Sequence, residues 1–176
     1  MTSQPKLHIL IRREEIEATI SRLAAEIKKD YQTRNPLFVG ILKGSFMFLA
    51  DLIRRLDFPL EVEFIRLSSY VLGTESSGKI KVLGVLNSVI KGRDVLVIED
   101  IVDTGLTTSF VLDYLNRKKP ASLKLGALLD KPARRRVPIK IDYLGLTVPS
   151  RFLVGYGLDL DERFRNLPDI YFVEGE

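Results

Sequence analysis

The residues best suited to chemistry are three carboxylates and a cluster of hydroxyls that follow an apolar run. The run and cluster together read VLVIEDIVDTGLTTS, residues 95–109. A strand that ends in a solvated turn, with one residue capping the next helix, would explain a lone Asp-Thr-Gly. Here Glu99 and Asp100 are adjacent although like charges repel, and more hydroxyls follow than one cap requires. The excess of acids and hydroxyls points to a ligand.

The kinds of side chain in this stretch indicate a phosphorylated sugar. A helix N-terminus offers unpaired N–H groups and the positive end of the helix dipole, so the hydroxyls and the glycine suit a phosphate monoester. Glu99 and Asp100 would repel that phosphate. They fit the hydroxyls of a polyol, or a Mg²⁺ ion that holds another phosphate group. A ribose with a phosphate at one end and a metal-bound pyrophosphate at the other meets both requirements.

Two other phosphate-binding motifs are only partly matched. The run GILKGS has Lys and Gly in the reverse of the order that a Walker loop needs. The run GYGLDL has Leu where a dinucleotide-binding fingerprint has its third glycine, and no clear helix follows it. Reactions that hydrolyse ATP or use a dinucleotide are therefore less favoured.

Apolar periodicity indicates the elements that would position these residues. Helical spacing runs from Arg13 to Tyr31, and short apolar runs indicate buried strands. We expect Val62, Phe64 and Leu67 to lie on a sheet face, and IKVLGVL to pair with their strand in antiparallel fashion. Strands that alternate with helices predict a parallel α/β sheet with ligands at the carboxyl ends of its strands. The segments involved are LFVGIL, FMFLADLIRRL, DVLVIE, residues 107–117, SLKLGALL, DYLGLTV, FLVGYG and IYFV.

Composition narrows the class of protein. The 176 residues, 45% hydrophobic and 28% charged, predict a single globular domain. There is no Cys, which excludes a thiolate nucleophile and a disulfide framework and predicts a cytoplasmic location. No segment resembles a signal peptide, and Lys43 interrupts the most apolar region, so no membrane association is expected. The dense basic run, KPARRRVPIK, lacks the interleaved aromatic residues of a base-stacking surface, so the net charge of +4 does not indicate nucleic acid.

With these residues assembled, the chain resembles the type I phosphoribosyltransferases, and among them the bacterial hypoxanthine (hypoxanthine-guanine) phosphoribosyltransferases. The most specific motif is VLVIEDIVDTGLT, and LKGS, SSY, LLDK and FLVGYGLDLDERFR support it in order along nearly the whole chain. The resemblance implies one domain over residues 1–176, with a mainly parallel central sheet flanked by helices. It also implies a small hood, formed by the N-terminal strand and the C-terminal segment, and a flexible lid loop at about residues 69–80.

The resemblance implies an activity in purine salvage. These enzymes join a 6-oxopurine to phosphoribosyl pyrophosphate and release pyrophosphate, with Mg²⁺ as cofactor and Mn²⁺ as a possible substitute. Asp103 is then the general base at the purine imidazole nitrogen. Glu99 and Asp100 lie beside the ribose hydroxyls and the metal. The ribose phosphate is surrounded by Thr104, Gly105, Leu106 and Thr107.

Other motifs of the resemblance assign the rest of the site. Lys131 contacts the purine, Phe152 stacks on it and Leu153 contacts it through the backbone. Asp159 binds a second metal or the exocyclic group of the purine, whereas Asp161 and Glu162 are expected to be solvated. Taken singly, Lys43 could equally be an exposed strand-end lysine and Phe152 a core residue. The remaining contacts to phosphoribosyl pyrophosphate are a loop with a cis peptide bond before the lysine (Leu42, Lys43, Gly44), the start of the lid (Ser69, Tyr70), Arg165 and, as a weaker candidate, Arg135.

Two alternatives stay open from the sequence. The enzyme could prefer another base such as xanthine or adenine, although Lys131 and Phe152 argue against adenine. The same fold could serve in a non-enzymatic regulator that senses nucleotides or binds RNA, although such a protein would not need Asp103, Lys43 and Lys131 together. The resemblance also implies a homo-oligomer, either a dimer or a tetramer.

Overall fold

The computed structural model describes residues 5–72, 75–83 and 86–175, without the side chains of residues 68–80. It contains nine strands and three helices within that part of the chain. The helices are α1 (Arg13–Tyr31), α2 (Phe46–Ile53) and α3 (Leu106–Asn116). The strands are β1 (Leu7–Ile11), β2 (Leu37–Leu42), β3 (Glu61–Leu72), β4 (Glu75–Leu83), β5 (Asp94–Val102), β6 (Ser122–Asp130), β7 (Tyr143–Thr147), β8 (Leu153–Val154) and β9 (Ile170–Val173).

The central sheet has six strands in the order β4-β3-β2-β5-β6-β7. Every neighbouring pair is parallel except β3 and β4, which are antiparallel. The parallel α/β sheet expected from the sequence is therefore confirmed. Because the parallel strands share one direction, the turns after β2, β5 and β6 all leave the sheet at the same edge.

A second sheet has three antiparallel strands in the order β1-β9-β8. Leu7 lies opposite Val173, and Leu153 lies opposite Phe172. This small sheet joins an N-terminal strand to the C-terminal segment, which are the two parts of the chain from which a hood was predicted.

Two apolar clusters cover the two faces of the central sheet. Alternate residues of β5 point to opposite faces, so that Leu96 and Ile98 belong to one cluster and Val95 and Val97 to the other. The first cluster includes the apolar stripe of α1 and the buried residues of α2, and the second includes the buried residues of α3. The helices thus fix the sheet from both sides and hold its carboxyl edge in place.

Strand β3 and helix α2 differ in detail from the sequence prediction. Val62 and Phe64 are 37% and 44% exposed, whereas Ile65 is buried and Leu67 packs on the cluster that contains α3. Placing Leu67 on the same face as Val62 and Phe64 was wrong, because side chains two apart share a face and Leu67 is out of phase. Helix α2 ends at Ile53, three residues before Leu56, where the predicted helix ended.

Most residues of the predicted lid loop belong to strands. Ser69 pairs with Ile80 and Leu72 with Glu75, so β3 and β4 form a long antiparallel hairpin across this region. The backbone hydrogen bonds of an antiparallel ladder replace the irregular loop expected from the Gly and Ser residues. Residues 73 and 74 lie outside the described part of the chain, and the role of this hairpin as a lid stays a prediction.

One expectation concerns membranes. Among the helices that the structure describes, none is long and apolar enough to cross a bilayer.

Candidate active site

The turns after β2 and β5 enclose a cavity at the carboxyl edge of the central sheet. Its volume is about 250 Å³. It combines Leu42 and Gly44 of the predicted pyrophosphate loop, but not Lys43, with both adjacent acids and the start of α3. The lining residues are Ile41, Leu42, Gly44, Glu99, Asp100, Ile101, Asp103, Thr104, Gly105, Thr107 and Thr108.

Glu99 and Asp100 bring two carboxylates to this cavity, and the positive charge of Arg165 acts on Asp100 only from beyond salt-bridge distance. Glu99 is buried and Asp100 is partly buried, and neither forms a salt bridge with any described residue. Burial raises the pKa of Glu99 well above its usual range, and the neighbouring Asp100 raises it further. Burial also raises the pKa of Asp100. Two carboxyl groups in such surroundings fit a divalent cation, which would supply the missing positive charge.

The protein alone provides few ligands for that cation. Within the described residues, no group of three or more His, Cys, Asp or Glu side chains could hold a metal ion. Mg²⁺ is commonly bound by one or two carboxylates together with phosphate oxygens of the substrate and water. The Glu99 and Asp100 pair fits that mode of binding.

The predicted pyrophosphate loop packs directly against Asp100. The peptide bond between Leu42 and Lys43 is cis. A Cβ atom added to Gly44 would lie 1.6 Å from Oδ2 of Asp100, and one added to Gly157 would lie 2.2 Å from the carbonyl oxygen of Gly44. Glycine therefore allows the loop to lie directly against the Asp100 carboxylate and the turn after β8 to lie directly against the backbone of the loop.

The N-terminus of α3 forms the floor expected for a phosphate. Gly105 has a φ of +84°, and a Cβ atom there would lie 2.8 Å from the carbonyl oxygen of Val137. The amide of Leu106 donates to Oγ1 of Thr104 at 3.4 Å, and the amides of Arg136 and Val137 donate to the carbonyl of Thr104. These bonds fix the Thr104 turn at the start of α3, where Thr104, Gly105, Thr107 and Thr108 line the cavity.

Asp103 lies beside two cations. Nζ of Lys131 is 3.6 Å from its Oδ2 atom, and Nε of Arg134 is 3.2 Å from its Oδ1 atom. Lys131 is only 5% exposed. Its pKa is lowered mainly by burial, and the attraction of Asp103 partly opposes that effect. The predicted base and the predicted purine-binding lysine are therefore neighbours.

A second cavity, of about 270 Å³, contains this pair. It shares Asp100, Ile101 and Asp103 with the first cavity, so the two spaces adjoin along the end of β5. The predicted stacking residue Phe152 and the buried Leu153 of β8 also lie here. Its lining residues are Asp100, Ile101, Asp103, Lys131, Arg134, Phe152, Leu153, Leu158 and Asp159.

Arg135 has an internal set of partners. Its Nε donates to the carbonyl of Asp103 at 3.1 Å, and Nη2 donates to the carbonyl of Val102 at 3.2 Å and forms a salt bridge with Asp130. The guanidinium therefore braces the turn after β5 against the end of β6. Its direct contact with a phosphate stays a prediction.

The turn after β8 adds a residue that the sequence analysis missed. Arg165 pairs with Asp159 at 2.7 Å, and Nη1 of Arg165 donates to the carbonyl of Gly157 at 2.7 Å. Glu162, which we expected to be solvated, pairs with Nζ of Lys43 at 2.8 Å and with Nη2 of Arg165 at 3.3 Å. The only feature of the sequence that could have indicated these ion pairs was the position of Glu162, three residues from both Asp159 and Arg165.

The structure thus brings most of the predicted site together. Asp100 lies near the end of β5 and Asp103 directly after it, whereas Lys43 follows β2, Lys131 follows β6 and Arg165 lies in the segment after β8. Leu106 lies at the start of α3 and is 44% exposed. The side chains of Ser69 and Tyr70 lie outside what the structure describes.

Comparison with protein-family models shows the family of the chain. The model of the phosphoribosyl transferase domain matches residues 10–161. The chain belongs to the phosphoribosyltransferase family. Among solved phosphoribosyltransferases, a crystal structure of a hypoxanthine-guanine phosphoribosyltransferase from Bacillus anthracis superimposes with a TM-score of 0.90 and 42% sequence identity. The superposition covers 97% of this chain and 99% of that chain.

Relatives in the phosphoribosyltransferase family include proteins of two lengths. The bifunctional protein TilS/HprT of Listeria monocytogenes serotype 4b (strain F2365) is 49% identical over 168 residues, which is 96% of this chain but 26% of that relative. This chain therefore spans about a quarter of that bifunctional protein. The hypoxanthine-guanine phosphoribosyltransferase of Bacillus subtilis (strain 168) is 47% identical over 162 residues, covering 92% of this chain and 90% of the relative.

Proposed function

We propose that this phosphoribosyltransferase transfers the phosphoribosyl group of phosphoribosyl pyrophosphate to hypoxanthine, and also to guanine, in purine salvage. The products are the nucleoside monophosphates IMP and GMP, together with pyrophosphate. The observation that favours a 6-oxopurine is the pair formed by Asp103 and the buried Lys131, whose charged atoms are 3.6 Å apart in a cavity that adjoins the acidic one. The names of the B. subtilis and B. anthracis relatives agree with this substrate class.

The second cavity suits the purine ring. A 6-oxopurine presents its 6-oxygen and its imidazole nitrogen N7 on the same edge. An ammonium has donors only, so Lys131 would donate to the oxygen while the Asp103 carboxylate accepts the N7 proton. Phe152 would stack on the ring, and the backbone at Leu153 would contact its far edge.

The first cavity suits phosphoribosyl pyrophosphate. The amides at the start of α3, with Thr104 and Thr107, would bind the ribose phosphate. Glu99 and Asp100 would accept hydrogen bonds from the ribose hydroxyls. Lys43, with the backbone of Leu42 and Gly44, would bind the pyrophosphate together with Arg165.

The acids also suit Mg²⁺, or Mn²⁺ in its place. Glu99 and Asp100 would hold the ion beside the ribose, and Asp159 is the candidate for a second ion. When bound, such an ion neutralises charge on the departing pyrophosphate. Asp159 already accepts from Arg165 and from the amide of Glu162 at 2.9 Å, so this second role requires a change of partners.

The protein's own part in the reaction is to position the substrates and to hold one proton. As N9 of the purine attacks the anomeric carbon and pyrophosphate leaves, the ring becomes more acidic and Asp103 removes the proton from N7. Lys131 stabilises the negative charge that grows on the 6-oxygen. The remaining effect comes from holding the two substrates in line within adjoining cavities.

The test is steady-state kinetics with hypoxanthine, guanine, xanthine and adenine against phosphoribosyl pyrophosphate. We expect turnover with the first two bases and rejection of adenine by a factor of about 10⁴ to 10⁵, because a site built around one hydrogen bond rejects a base that cannot form it. Equal use of adenine, or no turnover with any base, would contradict the proposal.

Removing the metal tests the role of the acids. Excess chelator should abolish turnover, because Glu99 and Asp100 cannot neutralise pyrophosphate themselves, and added Mg²⁺ or Mn²⁺ should restore it. An undiminished rate in chelator would refute the role proposed for these acids. Cytoplasmic location and assembly into a dimer or tetramer stay predictions from the sequence.

A further inference from the structure

Glu162 occupies an unusual place for an acid. Its carboxylate bridges Lys43 and Arg165, the two cations proposed above to bind pyrophosphate, at 2.8 Å and 3.3 Å. It is held there by a turn in which Asp161, Glu162 and Phe164 all have a positive φ. Three non-glycine residues in this conformation are uncommon in so short a segment, so the turn is built around a specific arrangement.

Two of the three nitrogens of the Arg165 guanidinium already have protein partners, whereas Nε is buried and has none among the described residues. Nη1 donates to the carbonyl of Gly157, and Nη2 is shared between Asp159 and Glu162. The Glu162 contact is the longer of the two at Nη2, and the Glu162 side chain is 63% exposed whereas that of Asp159 is 30% exposed. An incoming anion would therefore displace Glu162 more readily than Asp159.

Lys43, like Arg165, is paired with Glu162 through a contact that an incoming anion could displace. Glu162 is the only salt-bridge partner that Lys43 has among the described residues. The interaction also holds the pKa of the Glu162 carboxyl below its usual range, mainly through the hydrogen bond from Lys43, so the group is a carboxylate at neutral pH. Exposed ion pairs of this kind contribute little to stability, which makes this one easy to break.

We propose that Glu162 is an internal competitor of pyrophosphate. In the free protein its carboxylate neutralises Lys43 and Arg165 and holds them in position. It leaves when phosphoribosyl pyrophosphate binds and returns as pyrophosphate departs. The residue thereby weakens the binding of a highly charged product and favours its release. This inference rests on the proposed function, since it takes Lys43 and Arg165 as the pyrophosphate ligands.

The test compares Glu162→Gln with the wild type. Gln keeps the shape and an acceptor oxygen but removes the charge, so only the electrostatic competition is lost. We expect the Kd for pyrophosphate with Mg²⁺, measured by isothermal titration calorimetry, to fall by about 3-fold to 10-fold, the range expected for losing one or two exposed ion pairs. The KM for phosphoribosyl pyrophosphate should fall in parallel, while the KM for hypoxanthine stays within about twofold.

Asp161→Asn is the matched control. Asp161 is in the same turn, also has a positive φ, and its side chain is 81% exposed, but its salt-bridge partner among the described residues is Arg163, at 3.8 Å. The substitution removes the same charge from nearly the same place without touching Lys43 or Arg165. Its Kd for pyrophosphate should stay within about twofold of the wild type. If both variants bound pyrophosphate more tightly by the same factor, the cause would be the loss of one negative charge near the site and not the loss of the Glu162 ion pairs. That result would overturn the inference.

Two further results would also overturn the inference. A Glu162→Gln protein that binds pyrophosphate as weakly as the wild type, or more weakly, would show that Glu162 does not compete. A structure of the wild type with pyrophosphate in which Lys43 still pairs with Glu162 would show the same. Failure of the proposed function looks different: the wild type itself would neither bind pyrophosphate nor form nucleotide, and the inference would fall with it.

Discussion

At the scale of single residues, the site depends on opposite charges held close together. Asp103 lies between Lys131 and Arg134, and the burial of Lys131 makes its ammonium group difficult to leave unpaired. In the free protein Asp103 supplies the partner. A 6-oxopurine would supply a second one, so that substrate and protein together satisfy a buried cation.

The first prediction at this scale concerns Asp103→Asn. The amide keeps the shape but cannot take the N7 proton, so kcat should fall by about 10² to 10⁴ while the affinity for phosphoribosyl pyrophosphate changes little. Single-turnover kinetics and a binding titration would separate the two effects. Asp113→Asn, on an exposed position of α3, is the control and should leave kcat unchanged. A kcat within about twofold of wild type would leave Asp103 as only an ion-pair partner of Lys131 and Arg134.

The second prediction concerns Lys131→Met. Loss of the ammonium should strongly reduce turnover of hypoxanthine, yet narrow the preference over adenine, because adenine's amino group no longer faces a buried donor. The measurement is the ratio of kcat/KM for hypoxanthine to that for adenine in both proteins. Lys140→Met, whose side chain is 87% exposed, should keep the wild-type ratio. An unchanged ratio in Lys131→Met would mean that selectivity resides with the backbone at Leu153 or with Asp159.

At the scale of elements, the site depends on close contacts that glycine allows between the turn after β2, the Asp100 side chain of β5 and the turn after β8. The turn after β2 touches the end of β5 at Gly44, and the turn after β8 touches the same loop at Gly157. Parallel strands bring the turn after β2 and the end of β5 to one edge of the central sheet, and the turn after β8 of the small sheet packs against that edge. The turns that carry Lys43 and Arg165 are thereby held close to Asp100.

Gly44→Ala tests this approach. Gly44 does not have a positive φ, so alanine is acceptable to the backbone, but its Cβ atom would overlap the Asp100 carboxylate. Either the loop or the acid must move, and kcat/KM for phosphoribosyl pyrophosphate should fall at least about tenfold, because small misplacements in an active site have large effects. Gly92→Ala is the control: it has a φ of +74° and open space, so it should lower the free energy of unfolding by about 1 kcal/mol and leave kcat/KM unchanged. An active Gly44→Ala enzyme would show that the contact is not required.

At the scale of the whole molecule, side-chain bonds join the segment around the small sheet to the helices of the central one. The Tyr156 hydroxyl donates to Oδ2 of Asp51 on α2 at 2.6 Å, and the amide of Arg13, at the start of α1, donates to Asp169 at 2.7 Å. Tyr156 also immediately precedes Gly157. The position of the turn that holds Asp159 and Arg165 therefore depends on contacts with both helices.

Tyr156→Phe should weaken this connection. Removing the hydroxyl deletes a hydrogen bond from a buried tyrosine to a carboxylate, and the free energy of unfolding should fall by about 1 to 3 kcal/mol in chemical denaturation. Tyr171→Phe is the control, since its hydroxyl bonds to Asp169 at 3.1 Å in a more exposed setting and should cost less than about 1 kcal/mol. An equal decrease in the free energy of unfolding in the two variants would mean that the Tyr156 hydrogen bond contributes no more to stability than an exposed one.

The amino-acid sequence determined the strands, the helices and the chemical character of the site. The buried runs LFVGIL and DVLVIE predicted β2 and β5 because apolar periodicity is a property of neighbouring residues. The acids and hydroxyls at the end of β5 and after it indicated a phosphorylated sugar, because they too are neighbours in the sequence and their side-chain types can be read together. The exposed Val62 and Phe64 were not foreseen, since their exposure depends on what packs against β3.

Only the tertiary structure decided which distant residues neutralise one another. Lys43 and Glu162 are 119 residues apart, and their ion pair exists because the turns after β2 and β8 pack together through Gly44 and Gly157. The sequence predicted that Lys43 binds an anion and that Glu162 is solvated, but it did not predict that the two side chains pair. Charge pairing between separate elements depends on how those elements pack, and no local pattern records it. The competitor role proposed for Glu162 therefore followed from the fold and could not have been inferred from the sequence.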